Sequence, residues 1–362
     1  MADPYLKMIY YDPQRSGSYG GITALWNAVK ADGNPHKIKY KDVKKWLNDQ
    51  ETYSLHKPYN DRFKRESIIL GELDEEWDAD LMVLSNLSKY NKGYKYLAVF
   101  IDIFSRYLWI EPLKTKTSDE MVEAMRRVFE KGRKPSIIRT DMGTEYTGKV
   151  VQTFLKKKGI DHIIAYNVYH ANYAERVIRT IKGRLFRYFT QNQSLKYIDT
   201  IQDIVASYNS SRHSFLKMSP DQVTPKNQQE VYEKLYLPTE LKREKIPVKY
   251  KFEVGDKVRI PTDRRPFKKG YDQSWTDEIF VIDKRISSHP PRYRLVDLLG
   301  EHIKGSFYTQ ELQLARDDGV YKVEKILRYR SRQGVKQAFV RWKGYGSKFD
   351  SWINTRDLED LK

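Results

Sequence analysis

The chain has 362 residues, with 66 Lys and Arg against 48 Asp and Glu and a formal net charge of +18. That length allows two to four domains, and that charge points to a polyanionic partner, since clustered Lys and Arg attract phosphates and release condensed counterions. With no cysteine in the chain, disulfides, thiolate nucleophiles and cysteine-ligated zinc are excluded.

Residues 1–70 read as a helical, basic N-terminal region. Thr23–Val29 and Lys41–Leu47 carry apolar residues at helical spacing, with Val43, Trp46 and Leu47 on one face. Gly20-Gly21 and Gly33-Asn34-Pro35 punctuate them, and a basic stretch, Arg62-Phe63-Lys64-Arg65, follows. The region is either a small helix-turn-helix-like DNA-binding module or a packing arm. Residues 71–192 alternate strand and helix. Strands are predicted near 77–85, 94–102 and 107–110, a helix over 119–131 with Ser118 as cap, a strand ending at Asp141, a helix near 147–158, and a short strand over 160–164. A helix over 170–182 closes the series, and this order predicts a mixed sheet with helices on both faces. Residues 193–247 read as a helical extension, notably Ile198 to Tyr208, with Lys242-Arg243-Glu244-Lys245 as a charged linker. Residues 248–316 change to short strands divided by turns, the pattern of a small β-barrel, and 317–362 form a last unit of strands with a short helical end. The seven histidines are scattered, no run approaches 18 apolar residues, and Met1-Ala2-Asp3-Pro4 begins without an apolar signal core. A histidine zinc site, a membrane span and secretion are therefore not expected.

Three carboxylates carry the chemistry. Asp80 lies in the strand Trp77–Leu84, Asp141 follows Ser136-Ile137-Ile138-Arg139-Thr140, and Glu175 sits in the helix after His170-Ala171-Asn172. Carboxylates on three rigid elements suit a pair of hard divalent cations roughly 3.5–4 Å apart, the geometry of in-line displacement at phosphorus. Other acids compete. Asp78 shares strand parity with Asp80. Asp102 precedes a turn with Arg106 near it and reads as a turn or ion-pair residue, and Glu145 reads as structural beside Gly143. On the Glu175 helix, Arg179 at i+4 and Lys182 at i+7 share the carboxylate's face.

Trp77-x-x-Asp80-Leu81, Asp102-x-x-Ser105-Arg106, Thr140-Asp141-x-Gly143-x-Glu145-Tyr146 and Ala174-Glu175-Arg176-x-Ile178-Arg179-Thr180-Ile181-Lys182 together resemble a retroviral-type integrase core, which has an RNase H-like fold. Tyr10-Tyr11-Asp12-Pro13, Gly17-Ser18-Tyr19-Gly20-Gly21 and Asp49-Gln50-x-Thr52-Tyr53-x-Leu55-His56-Lys57-Pro58 resemble the Polinton (Maverick) group and its virophage relatives. The chain departs from the family in two ways. Only 33 residues (175 − 141 − 1) separate Asp141 from Glu175, slightly fewer than usual, and the zinc module of retroviral relatives is missing, since there is no cysteine. Residues 248–316 resemble the SH3-like C-terminal domain of integrases, where Arg264, Arg265, Lys268 and Lys269 flank Pro266-Phe267 as candidate DNA contacts and Trp275 and Phe280 as barrel core. Residues 317–362 resemble a chromodomain, and Tyr321, Trp342 and Tyr345 match its three methyl-lysine cage positions. Where that family has Trp-Glu-Pro, this chain has Trp352-Ile353-Asn354.

The resemblance implies a multidomain α/β plus small-β protein: an RNase H-like catalytic core with a helical N-terminal region, an SH3-like barrel and a chromodomain. It implies an integrase that processes the 3′ ends of element DNA and joins them to target DNA with two Mg2+ ions, Mn2+ substituting and no zinc. Asp80, Asp141 and Glu175 would be catalytic and metal-ligating, with Arg179 and Lys182 on DNA phosphates. Expected partners are double-stranded element and target DNA, a methylated histone tail and further copies of the chain in a tetramer, in the host nucleus and also packaged in a virion. The alternatives are a catalytically silent, domesticated integrase that binds DNA and chromatin, and a nuclease that cuts without joining.

Overall fold

A computed structural model describes residues 2–358 except 61, 67, 166–172, 263–270 and 318. The chain divides into two units, one continuous over 65–248 and one discontinuous, joining 1–64 to 249–362. The expected N-terminal region, barrel and chromodomain thus fall in a single unit. The expected core and helical extension form the other.

In the discontinuous unit, helices α1 (Ala2–Tyr11), α2 (Ile22–Ala31), α3 (Tyr40–Asn48) and α4 (Glu51–Ser54) come first. Leu6, Ile9, Tyr10, Leu25, Val29, Val43 and Leu47 close a small core among them. Trp46 lies at its edge rather than inside it.

The continuous unit holds β1 (Glu76–Val83), β2 (Tyr96–Asp102), β3 (Leu108–Leu113), α5 (Ser118–Phe129), β4 (Ile137–Thr140), α6 (Thr144–Thr147), α7 (Lys149–Lys158), β5 (Asp161–Ile164), α8 (Tyr173–Asn192), α9 (Ile201–Ser210), α10 (Gln228–Leu235) and α11 (Leu237–Lys245). The sheet order is β3-β2-β1-β4-β5, antiparallel across β1, β2 and β3 and parallel across β1, β4 and β5. This is the mixed sheet predicted above. Strand alternation sorts β1 between the two faces. Trp77 and Ala79 pack with Met121, Met125, Val128, Val151 and Leu155 of α5 and α7. Met82 packs with Val177, Ile181, Leu185 and Val205 of α8 and α9, so Asp78 and Asp80, of the same parity, face α8. The charged run read as a linker is instead the last half of α11. That helix buries no residue, so it leaves no apolar stripe in the sequence to reveal it.

The discontinuous unit continues with β6 (Lys257–Arg259), β7 (Phe280–Ile286), β8 (Arg292–Val296), β9 (Phe307–Tyr308) and β10 (Gln313–Leu314), an antiparallel sheet in the order β10-β6-β7-β8-β9. Phe252, Val258, Phe280, Ile282, Tyr293 and Leu295 fill its core. Trp275 is buried but stands outside that cluster. Its indole N–H donates to the Lys57 carbonyl at 2.8 Å and its ring meets Tyr59 edge-on. The Leu55 carbonyl accepts the Ser274 N–H at 2.8 Å, so the segment after α4 packs here as an arm. A last sheet, β11 (Val323–Arg332), β12 (Val335–Trp342) and β13 (Ser351–Asn354), is ordered β11-β12-β13. Among the described residues, no helix is long and apolar enough to cross a membrane.

Candidate active site

The register of the parallel pair β1–β4 sets the site. Asp78 stands opposite Arg139, so Asp80 and Asp141, each two residues further on, leave the sheet at the same level. Asp80 is half-buried, and its Oδ1 accepts the Leu81 N–H at 2.7 Å. Burial, and then the charges of Asp141, Glu175 and Glu145, push its carboxyl from the ordinary 3.8 up to about 6. β1 and the turn after β4 meet through the strand register, and the start of α8 is tied to β1 through Asp78.

Asp141 is exposed, and its Oδ1 accepts the Gly143 N–H at 2.9 Å, which fixes the turn after β4. A Cβ at Gly143 would lie 2.7 Å from the Glu145 carboxylate, so glycine is what allows the turn to close over that acid. Glu145 is buried at 2 % exposure; its Oε1 pairs with Lys116 at 3.1 Å, and its Oε2 has no partner among the described residues. The expected structural role at the turn is consistent with this, and Glu145 adds negative charge beside Asp80. Glu175 lies in the first turn of α8 and pairs with Arg179 at 3.4 Å, both side chains exposed. Lys182 follows one turn later, half-buried. The His170–Asn172 approach to this helix lies outside the described residues. Among the described residues, no three acidic or imidazole groups stand close enough together to hold one metal ion between them. Asp80, Asp141 and Glu175 offer only carboxylate oxygens, donors of the kind suited to magnesium or manganese.

Asp78 is the acid whose role sequence reasoning missed. It is fully buried, and its Oδ2 accepts the Ala174 N–H at 3.1 Å, at the N-terminus of the helix that carries Glu175. Its Oδ1 has no partner among the described residues, and burial pushes the carboxyl up to about 7. The parity shared with Asp80 was legible; the contact, 96 residues away along the chain, was not. Asp102 is the expected turn and ion-pair residue. It accepts the Ser105 N–H at 3.1 Å, but its ionic partner is Arg133 at 2.7 Å, not Arg106.

In the last module, the Tyr321 ring stands edge-on to Trp342 at 6.0 Å and to Tyr345 at 5.8 Å. Tyr345 is buried and its hydroxyl accepts the Ile279 N–H, while Trp342 donates its indole N–H to Ser351 Oγ at 2.9 Å. Tyr321 and Tyr345, with Glu51, Asp277 and Asp317, line a cavity of about 280 Å³ that Trp342 does not reach. Glu51 pairs with Arg259 at 3.2 Å and with Lys322 at 2.8 Å. Arg264, Arg265, Lys268 and Lys269 lie outside the described residues.

The integrase core domain family matches residues 74–166, and the chromo (chromatin organisation modifier) domain family matches residues 321–362. A transposon-derived protein of Caenorhabditis elegans is 34 % identical over 217 residues, which is 58 % of this chain and 70 % of that protein. The Pol polyprotein of Radiation murine leukemia virus is 35 % identical over 98 residues, 26 % of this chain and 16 % of the polyprotein. A chain of the simian T-cell lymphotropic virus intasome, solved in complex with PP2A regulatory subunit B56 gamma, superposes with a TM-score of 0.56 at 16 % identity. It covers 82 % of this chain and 96 % of its own, a likeness of fold alone. The chain belongs to the retroviral-type integrase family of transposon-derived proteins, and carries a chromodomain after the integrase core.

Proposed function

We propose that the protein is an active DNA integrase of a Polinton- or virophage-like element, which trims the 3′ ends of element DNA and joins them to target DNA. The observation that supports this most is the pairing of Asp78 with Arg139, which brings Asp80 and Asp141 to one level of the sheet, with Asp78 tied to the start of the helix that carries Glu175. Asp80, Asp141 and Glu175 would hold two Mg2+ ions, with Mn2+ as a substitute, which when bound would supply activation of the attacking oxygen and stabilisation of the leaving one. The chain's own residues do the positioning. Asp78 ties the start of α8 to β1, Gly143 lets the Asp141 turn close, and Arg179 and Lys182 hold DNA phosphates on the Glu175 face of α8. The partners are element ends, target DNA and further copies of the chain, as a tetramer in the host nucleus and also packaged in a virion. Tyr321, Trp342 and Tyr345 take a methylated lysine of a histone tail, by attraction of the ring faces for a charge that methylation keeps.

The second reading, a silent DNA- and chromatin-binding protein, is favoured by one observation. Glu175 is engaged by Arg179, and no three-carboxylate cluster is assembled among the described residues. A strand-transfer assay with a duplex carrying the element's terminal sequence decides between them. Activity with Mg2+ that is lost in Asp80→Asn, Asp141→Asn and Glu175→Gln, with DNA affinity kept, supports the enzyme. Full joining by any of the three removes that residue from the site, and no joining by the native chain leaves the silent reading standing.

A further inference from the structure

The core unit contains a second cavity, of about 670 Å³, on the face of α8 away from Arg179 and Lys182. Its wall includes Arg106, Arg176, Arg184 and Arg212, with the rings of Tyr173 and Phe215 among the aromatics. Elsewhere in this unit, several arginines have acids: Arg133 holds Asp74 and Asp102, Arg139 holds Glu76, and Arg127 holds Glu111. The four cavity arginines pair with no carboxylate among the described residues. Arg184 donates to the hydroxyls of Ser207 and Ser211, and Arg212 to the Lys217 carbonyl.

Arg106 is the telling member. It is 6 % exposed, its guanidinium donates to the Ile103 carbonyl, and it lies 4.3 Å from the Tyr173 ring centroid and 4.9 Å from that of Phe215. The ring faces compensate part of its desolvation without neutralising it. A buried cation with no counter-ion among the described residues, opening into a cavity with three more, suits an anion from outside. Phe215 stays 39 % exposed at the same cavity, a flat apolar face left open. Arginines beside an open aromatic ring are the chemistry of an unpaired nucleotide, phosphate on the guanidinium groups and base on the Phe215 ring. An acidic peptide would use the arginines and leave the exposed part of Phe215 unused.

We infer that this cavity is a single-stranded nucleic-acid subsite of the core, which holds an unpaired nucleotide on the face of α8 away from Glu175. The choice of nucleic acid as the anion rests on the integrase reading; the presence of an anion site does not. The test measures binding by the full chain in EDTA, so that no strand is cut. Fluorescence anisotropy compares a thymidine oligomer of roughly 8 nucleotides with a blunt duplex. The native chain is set beside the double variant Arg176→Glu/Arg212→Glu, both exposed positions, and a control, Lys156→Glu/Lys157→Glu on α7. The subsite predicts about a tenfold loss of single-strand affinity in the arginine variant, with the salt slope shallower by about 1.4 for two lost phosphate contacts. It predicts a much smaller loss on blunt duplex and little change in the control. Equal losses on both ligands, or none, overturn the inference. A phosphorylated peptide that binds the native chain, fails on the arginine variant and leaves oligomer binding intact assigns the cavity to a protein partner and overturns it too. If strand transfer in Mg2+ were absent while the single-strand preference held, the integrase reading would fail and the subsite would stand.

Discussion

Replacing Asp78 by Asn tests the electrostatics beneath α8. The carboxyl has no exposure to water and is displaced from the ordinary 3.8 to about 7, chiefly by burial. A pKa raised on folding contributes stability that is present below the unfolded value and is lost as pH climbs to the folded one. For Asp78 the loss falls between about pH 4 and 7, and at about 1.36 kcal/mol per pKa unit it reaches roughly 4 kcal/mol above pH 7. Asn keeps an acceptor for the Ala174 N–H and carries no charge. It leaves an amide where Oδ1 had no partner, which costs about 1–3 kcal/mol at every pH. The change in the difference is therefore the quantity to read. Urea unfolding of both proteins in EDTA across this range should show the variant gaining about 3–4 kcal/mol on the native chain between pH 4 and 8. Two stability curves that run parallel with pH would refute the reasoning, because the carboxyl would then not be paying for burial. The variant should also retain strand transfer, since Asp78 positions the helix and does not meet DNA.

Other outcomes follow from single contacts. Arg133→Ala strips the ionic partner from fully buried Asp102 as well as from Asp74, and should cost about 3–5 kcal/mol in chemical denaturation. Asn91→Ala removes a buried side chain that accepts the Tyr197 and Ile198 N–H groups and donates to the Leu87 and Leu195 carbonyls. A loss of about 3 kcal/mol or more is expected, with the tie to residues 195–198 released first in hydrogen exchange. Gly143→Ala forces the Glu145 carboxylate to move, so strand transfer should slow about 10–100-fold, with a near-native thermal midpoint. Mg2+ should raise the melting temperature of the native chain at neutral pH and not that of Asp80→Asn, since only the former keeps the converging carboxylates.

The core was legible because its strands are apolar runs with clear breaks and its helices carry stripes: Met121, Val122, Met125 and Val128 of α5 are buried as their spacing predicts. Asp80, Asp141 and Glu175 were singled out by motif; that the first two leave the sheet at one level comes from the register of β1 with β4, which no local pattern prints. Asp78 escaped because nothing local distinguishes it from Asp80. Its meaning depends on a backbone N–H a hundred residues on, and only folding supplies that. α11 escaped for the opposite reason: its helix rests on the propensities of Glu, Leu, Lys and Arg, with no buried face to print a period. The pairing of the Leu55–Lys57 arm with Ser274 and Trp275 spans more than two hundred residues and has no periodic signature at all.

That arm gives the chain a nested order of assembly. Residues 65–248 are complete on the ribosome while the strands that Glu51 and the Leu55 carbonyl engage are still untranslated. The integrase-core unit can mature early as an independent folding unit. The helices ahead of it must wait, holding their own small core, until the tail emerges to complete their partnership. A stop codon shortly after 248 would therefore spare the nuclease-like domain and orphan the front of the protein, an asymmetry that limited proteolysis of such a truncation would reveal.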